Sequence, residues 1–250
     1  MQIKLLKWID INKINWKTLS YNENAIDLLT KNQSKIDWSN LSKNKNAIEL
    51  LNKNIDKIDW LIICGYNSNV IKICLNYKHK IKWYWLSGNK NAIELLTQNK
   101  HKINWNIISR NPSAIELLKL NFDKINWNNL CFNINAIKLL TDNFDKINWN
   151  ILSYNKNAIE LLTRNQYKIN WDNLSYNANA IDLLQDNIDK INWDNLSCNV
   201  NAIELLKKHP DKINWHNLSY NKNAIDLLKD NIHKINWYNF SSNLSIFIRN

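Results

Sequence analysis

Glycine and proline are almost missing from this 250-residue chain, which has two of each. An all-β repeat protein turns at corners rich in both, so that architecture is excluded. With only Gly65 and Gly88 present, a glycine-rich phosphate loop is excluded as well. No run of about 18 apolar residues occurs, so no membrane span is expected. The opening Met1-Gln2-Ile3-Lys4-Leu5-Leu6-Lys7 lacks signal-peptide architecture, and a soluble intracellular protein is the expectation. The four cysteines form no CxxC or zinc framework and read as reduced structural thiols. The five histidines, His79, His101, His209, His216 and His233, lack HExxH or His–Cys spacing. Neither a metal nor any other cofactor is expected.

What the chain has instead is tryptophan in one register: Trp16, Trp38, Trp60, Trp83, Trp105, Trp127, Trp149, Trp171, Trp193, Trp215 and Trp237, spaced by 22 residues except for one interval of 23. Self-similarity at a fixed period marks a repeat array whose units bury their apolar faces against their neighbours. Residues 1–250 therefore read as one repeat solenoid, with partial repeats over 1–15 and 238–250. At 45% hydrophobic residues there is ample material for a core.

The copy from Trp149 to Trp171 shows what a unit contains. Ala158, Ile159, Leu161 and Leu162 form a helical stripe. Asn157, which is Asn or Ser at this register in the full repeats, predicts the N-cap, with Glu160 completing an acidic capping box. Asn165, replaced by Tyr77 and His209 in two copies, predicts a left-handed C-cap. A helix of about two turns is expected between them. Asn170 predicts a second N-cap ahead of a short α or 3-10 segment starting at Trp171. The expected fold class is all-α: an α-solenoid of about ten repeats, stacked into a rod or superhelix on the order of 100 Å long.

In this reading the tryptophans are the stacking core that sets the period. The Asn six residues after each of them, one place later at Asn67 after Trp60, forms a ladder that satisfies turn backbone and is a candidate partner for the indole N–H. Asn, Lys and Ile are all encoded by AT-rich codons, so part of the composition can reflect genome bias. The copy from Trp60 to Trp83 carries an extra residue near Cys64-Gly65-Tyr66, which should bend or re-pitch the array. Tyr66, Tyr84 and Trp85 beside it are candidate partner-binding residues.

No catalytic constellation is visible, since each repeated Asp or Glu is explained as the third residue of a helix; no enzyme is expected. The surface signal is charge. Lys13, Lys35, Lys57, Lys80, Lys102, Lys124, Lys146, Lys168, Lys190, Lys212 and Lys234 each stand three residues before a registered Trp, and the net charge is +11. As an anion-binding ladder these lysines would track nucleic acid with steep salt dependence. As structural residues they would cover apolar surface with their stems or pair with helix carbonyls and acids. Their invariance among repeats favours the structural role. Partner specificity is expected five residues after Trp, where Arg110, Phe132, Tyr154, Tyr176 and Tyr220 make an aromatic and basic strip.

The unit Leu-Ser-x-Asn-x-Asn-Ala-Ile-x-Leu-Leu-x-x-Asn-x-x-Lys-Ile-Asn-Trp resembles the Asn- and Trp-rich tandem repeats of giant, Mimivirus-like DNA viruses, over nearly the whole chain. Its layout is also similar to leucine-rich repeat variant proteins, although the tryptophan register departs from theirs. The viral resemblance implies an AT-rich viral genome and a setting in host cytoplasm, viral factory or virion; it carries no activity to transfer. The expected function is a non-enzymatic scaffold for a viral or host protein, with nucleic-acid binding as the alternative. The repeat that stops inside its first helix at Ile246-Phe247-Ile248 leaves end-to-end self-association as a further expectation.

Overall fold

The computed structural model describes residues 3–249 and is an all-α solenoid. Each repeat has three short elements, shown by one copy: a Trp helix (Trp149–Leu152), an Ile helix (Ile159–Thr163) and a 3-10 turn (Gln166–Lys168). None is long enough to be stable alone, so the array is held by contacts between repeats. The inner layer is fully buried at Leu152, Ala158 and Leu162, and the same register recurs along the chain.

Asparagine serves four different backbone sites in this repeat. Asn170 caps the next Trp helix, its Oδ1 accepting the Asn173 N–H at 2.8 Å, as its sequence position predicts. Asn155 is the ladder residue. Its Nδ2 donates to the carbonyls of Cys131 and Asn133 in the preceding repeat at 2.9 and 3.1 Å, and its Oδ1 accepts the Asn157 N–H at 3.1 Å.

The other two sites differ from expectation. Asn157 does not cap the Ile helix. That helix starts at Ile159 behind Ala158 without a side-chain cap, and Asn157 donates across the interface to the Ile134 carbonyl at 2.8 Å. Asn165 adopts no left-handed conformation; its φ is −132°, and no residue among those described has positive φ. Its Nδ2 donates to the Leu161 carbonyl at 2.8 Å, which satisfies the helix end through the side chain.

Serine supplies a further link. Ser153 is buried, donates to the Trp149 carbonyl at 2.8 Å and accepts the Asn170 N–H of the next repeat at 3.1 Å. Cys64 and Cys131 occupy this register, and their sulfurs accept the N–H of Lys82 at 3.5 Å and of Asn148 at 3.4 Å.

These ladders have no open end. Asn22 donates to the carbonyls of Asn243 at 2.9 Å and Ser241 at 3.4 Å, as each ladder Asn does to the repeat before it. The Asn15 N–H donates to Ser241 Oγ at 2.8 Å, and Asn24 Nδ2 to the Leu244 carbonyl at 2.9 Å. Strand β1 (Ile3–Leu5) pairs antiparallel with β2 (Phe247–Arg249), replacing an Ile helix at the seam, and Trp8 packs on Phe240 at 5.7 Å. The eleven Trp helices thus close into a ring. The expected open rod or superhelix is corrected, and so is end-to-end association through an exposed apolar end, because residues 3–5 cover that end from within the same chain.

The extra residue near Gly65 does not re-pitch the array. It lengthens one Trp helix to Trp60–Tyr66, and Asn67 continues the ladder to Ser42 and Asn44 at 3.2 and 2.9 Å. Trp38–Lys43 packs on Trp60–Tyr66 and that on Trp83–Leu86, Trp171–Ser175 packs on Trp193–Cys198 and that on Trp215–Leu218, and the hydrogen bonds between repeats run along the Trp helices and the Asn turns. Spacing per repeat in a closed ring grows with radius, so the Trp helices form the inner wall and the Ile helices the outer one.

Candidate functional site

The registered tryptophans are half-buried rather than core. One face packs on the apolar interior and the other is covered by the ladder lysine that ends the 3-10 turn of the same repeat. Ten of the eleven lysines place Nζ 4.4–5.6 Å from the ring centroid of the preceding Trp. The pattern crosses the seam, since Lys13 covers Trp237. The exception is Lys212. There His209 lies against Trp193 at 4.8 Å, and Lys212 faces Asp211 at 3.6 Å. Each such contact contributes about 0.5–1 kcal/mol at an exposed site. The Asn ladder does not serve the indoles, as no indole N–H donates a hydrogen bond among the described residues; the nitrogens reach solvent instead.

At the other end of the Trp helices, the register five residues after Trp forms a second column on the inner rim. Arg110 lies over Phe132 at 5.2 Å, Phe132 stacks with Tyr154 at 6.2 Å, and Tyr154 meets Tyr176 at 5.9 Å. Tyr220 shares the register but is separated from Tyr176 by Cys198. Arg110, Tyr154, Tyr176 and Tyr220 are exposed and Phe132 is half-exposed. Burial against the wall pushes the phenols of Tyr176 and Tyr220 up, so both stay neutral. Eleven steps of about 6 Å close a circle on the order of 20 Å across at this radius.

Tyr66 continues the column on the far side of Gly88, with Lys43 Nζ 5.8 Å from its ring. Trp85 lies 6.4 Å from Tyr66 and edge-on to Tyr84 at 5.2 Å. Tyr66 and the residues five positions after Trp are thus brought to one rim, with Trp85 against Tyr66 and Tyr84 linked to them only through Trp85, whereas the lysine ladder lies at the rim where the Trp helices begin. Trp8 was not singled out by its spacing; only its contact with Phe240 shows its role at the seam.

No family model, no curated protein and no solved structure matches this chain. Its functional reading therefore rests on the ring. Among the described residues no three His, Cys, Asp or Glu side chains converge as a metal site. No helix among the described residues is long and apolar enough to cross a membrane.

Proposed function

We propose that this protein is a non-enzymatic ring scaffold that binds a polypeptide along its inner rim. The observation that carries this reading is the unbroken run Arg110–Phe132–Tyr154–Tyr176 over four consecutive repeats. Arg and aromatic residues dominate the energetics of protein interfaces, and here the column stands on turns fixed by buried Asn side chains. An extended peptide or one α-helix, about 10–12 Å wide, fits an opening of this size. A viral or host protein as the partner, and a viral setting for the ring, belong to the same proposal and rest on the repeat motif.

The test is selection of a displayed peptide library on the immobilised ring, followed by titration of the enriched peptides. Tyr154→Ala with Tyr176→Ala should weaken them at least tenfold, or about 1.4 kcal/mol. No enrichment, or peptides indifferent to both substitutions, overturns the reading. Nucleic-acid binding is the second reading, supported by the net charge of +11 and by ladder lysines that mostly remain exposed. It requires affinity for a single-stranded oligonucleotide that falls linearly with log salt and a slope that shrinks when several ladder lysines are neutralised.

A further inference from the structure

The column on the inner rim is interrupted at one place by a missing side chain. Gly88 holds the register filled elsewhere by Tyr154, Tyr176 and Tyr220, and beside it lies a cavity of about 270 Å³ lined by Gly65, Tyr66, Trp85, Gly88, Ile107 and Arg110. Its walls are already organised. On one side stand Tyr66 and Trp85, 6.4 Å apart, with Tyr84 packed edge-on behind Trp85. On the other stands the Arg110 guanidinium, one face of which lies on Phe132. Ile107 contributes its apolar branch, and Ile107 Cγ2 would lie 3.1 Å from a Cβ at Gly88.

The charge around the slot has one sign. A second hollow of about 260 Å³ shares Gly65, Tyr66 and Gly88 with the first and is lined also by Lys90. Lys43 lies against Tyr66, and no Asp or Glu lines either hollow. A flat π-system between aromatic rings and a guanidinium plane is held by stacking on one side and cation–π attraction on the other. The neighbouring Lys90 and Arg110 then select a ring that carries negative charge. A neutral aromatic side chain would use the walls and leave the cations unmatched. The cavity lies just below the range of drug-sized pockets, which suits a single base-sized ring.

We infer that the gap at Gly88 is a nucleotide slot, in which a nucleobase stacks between Tyr66/Trp85 and Arg110 while its phosphate meets Arg110 and Lys90. The slot goes beyond polypeptide binding: it shares Arg110 with the end of the continuous run but is formed by the break in the column at Gly88. The base could come from a free mononucleotide or from one position of a single strand; both present the same chemistry.

Calorimetric titration of the full chain with AMP tests this, with adenosine, inorganic phosphate and a short oligodeoxyadenylate as parallel probes. The expected result is saturable binding of one AMP per chain at millimolar or lower concentration, with adenosine and phosphate each at least tenfold weaker. Gly88→Tyr fills the slot with the side chain that Tyr154, Tyr176 and Tyr220 place at this register and should abolish binding. Arg110→Ala removes only an exposed side chain and should weaken AMP at least tenfold in a ring of unchanged circular dichroism, which keeps the test decisive if the tyrosine variant folds poorly. An oligonucleotide that binds more tightly than AMP and is equally sensitive to Arg110→Ala identifies strand as the source, and equal affinities identify the free nucleotide. Absence of saturable AMP binding, or AMP binding indifferent to both substitutions, overturns the proposal.

Discussion

Replacing Asn22 with alanine separates a closed ring from an open rod. In the ring, Asn22 Nδ2 donates across the seam to the carbonyls of Asn243 at 2.9 Å and Ser241 at 3.4 Å, and its Oδ1 accepts the Asn24 N–H at 3.0 Å. When the side chain is removed, the Asn243 carbonyl keeps the Ile246 N–H at 3.4 Å, but the buried Ser241 carbonyl loses the one donor it has. A lost hydrogen bond costs about 1 kcal/mol and an orphaned buried carbonyl about 1–3 kcal/mol, so Asn22→Ala should destabilise by roughly 2–4 kcal/mol. Asn133→Ala, halfway round, removes the equivalent bonds to Ser109 and Asn111 at 3.1 and 2.8 Å and should cost the same. In an open rod Asn22 would face no preceding repeat, and only the local turn bond would be lost. Urea unfolding followed by tryptophan fluorescence and circular dichroism reads the difference. In thermal melts a chain of this size shifts by about 2–4 °C per kcal/mol. If Asn22→Ala stays within about 0.5 kcal/mol of the parent while Asn133→Ala loses several, the ring is refuted.

Three further outcomes are expected. Cys131→Ser should leave stability equal or raise it by up to about 1 kcal/mol, because the Asn148 N–H now bonds sulfur at 3.4 Å where serines elsewhere accept at about 3.0 Å; Cys131→Ala should lower it by about 1–3 kcal/mol. Equal melting of the two variants would show that this linkage contributes nothing. Burial pushes the thiols of Cys131 and Cys198 up, so the folded state holds these protons more tightly than the unfolded state. Their contribution is complete below about pH 8.5 and declines as pH rises through the higher folded values, and the fully buried Cys131 thiol should resist an aromatic disulfide reagent until unfolding. Stability that climbs over that alkaline range, or rapid native labelling of Cys131, contradicts this. Lys168→Met keeps the apolar stem but removes the ammonium lying 4.7 Å from Trp149 and 4.6 Å from Phe144, and should cost about 0.5–1 kcal/mol in urea unfolding. No measurable loss would make the lysine–tryptophan contact incidental.

Much of the local structure is legible from spacing alone. The tryptophan period, the helical stripe and the cap at Asn170 each follow from patterns contained within one repeat. The misread positions, Asn157 and Asn165, are those where asparagine acts through its amide donor rather than as a cap or a left-handed residue. Asn fits all of these roles on type alone, and only the position of a partner carbonyl chooses among them. The lysine ladder was legible as a row, but its partner was not: the indole face at the start of the same repeat can be assigned only once the Trp helix, the Ile helix and the 3-10 turn are folded together. The same holds for the inner column, where residues 22 positions apart become neighbours about 6 Å apart.

By itself the sequence determines the repeat, its length, its helical class and the buried register, because these depend on periodicity and short-range hydrogen-bonding chemistry. Closure was decided by tertiary structure. Eleven repeats complete one turn only if each rotates by about 33° on the last, a small angle set by the difference in packing between the inner Trp helices and the outer Ile helices. No single repeat states that angle. Summed around the chain, it carries Asn22 onto Asn243, pairs β1 with β2 and converts an expected open rod or superhelix into a ring with an inner rim.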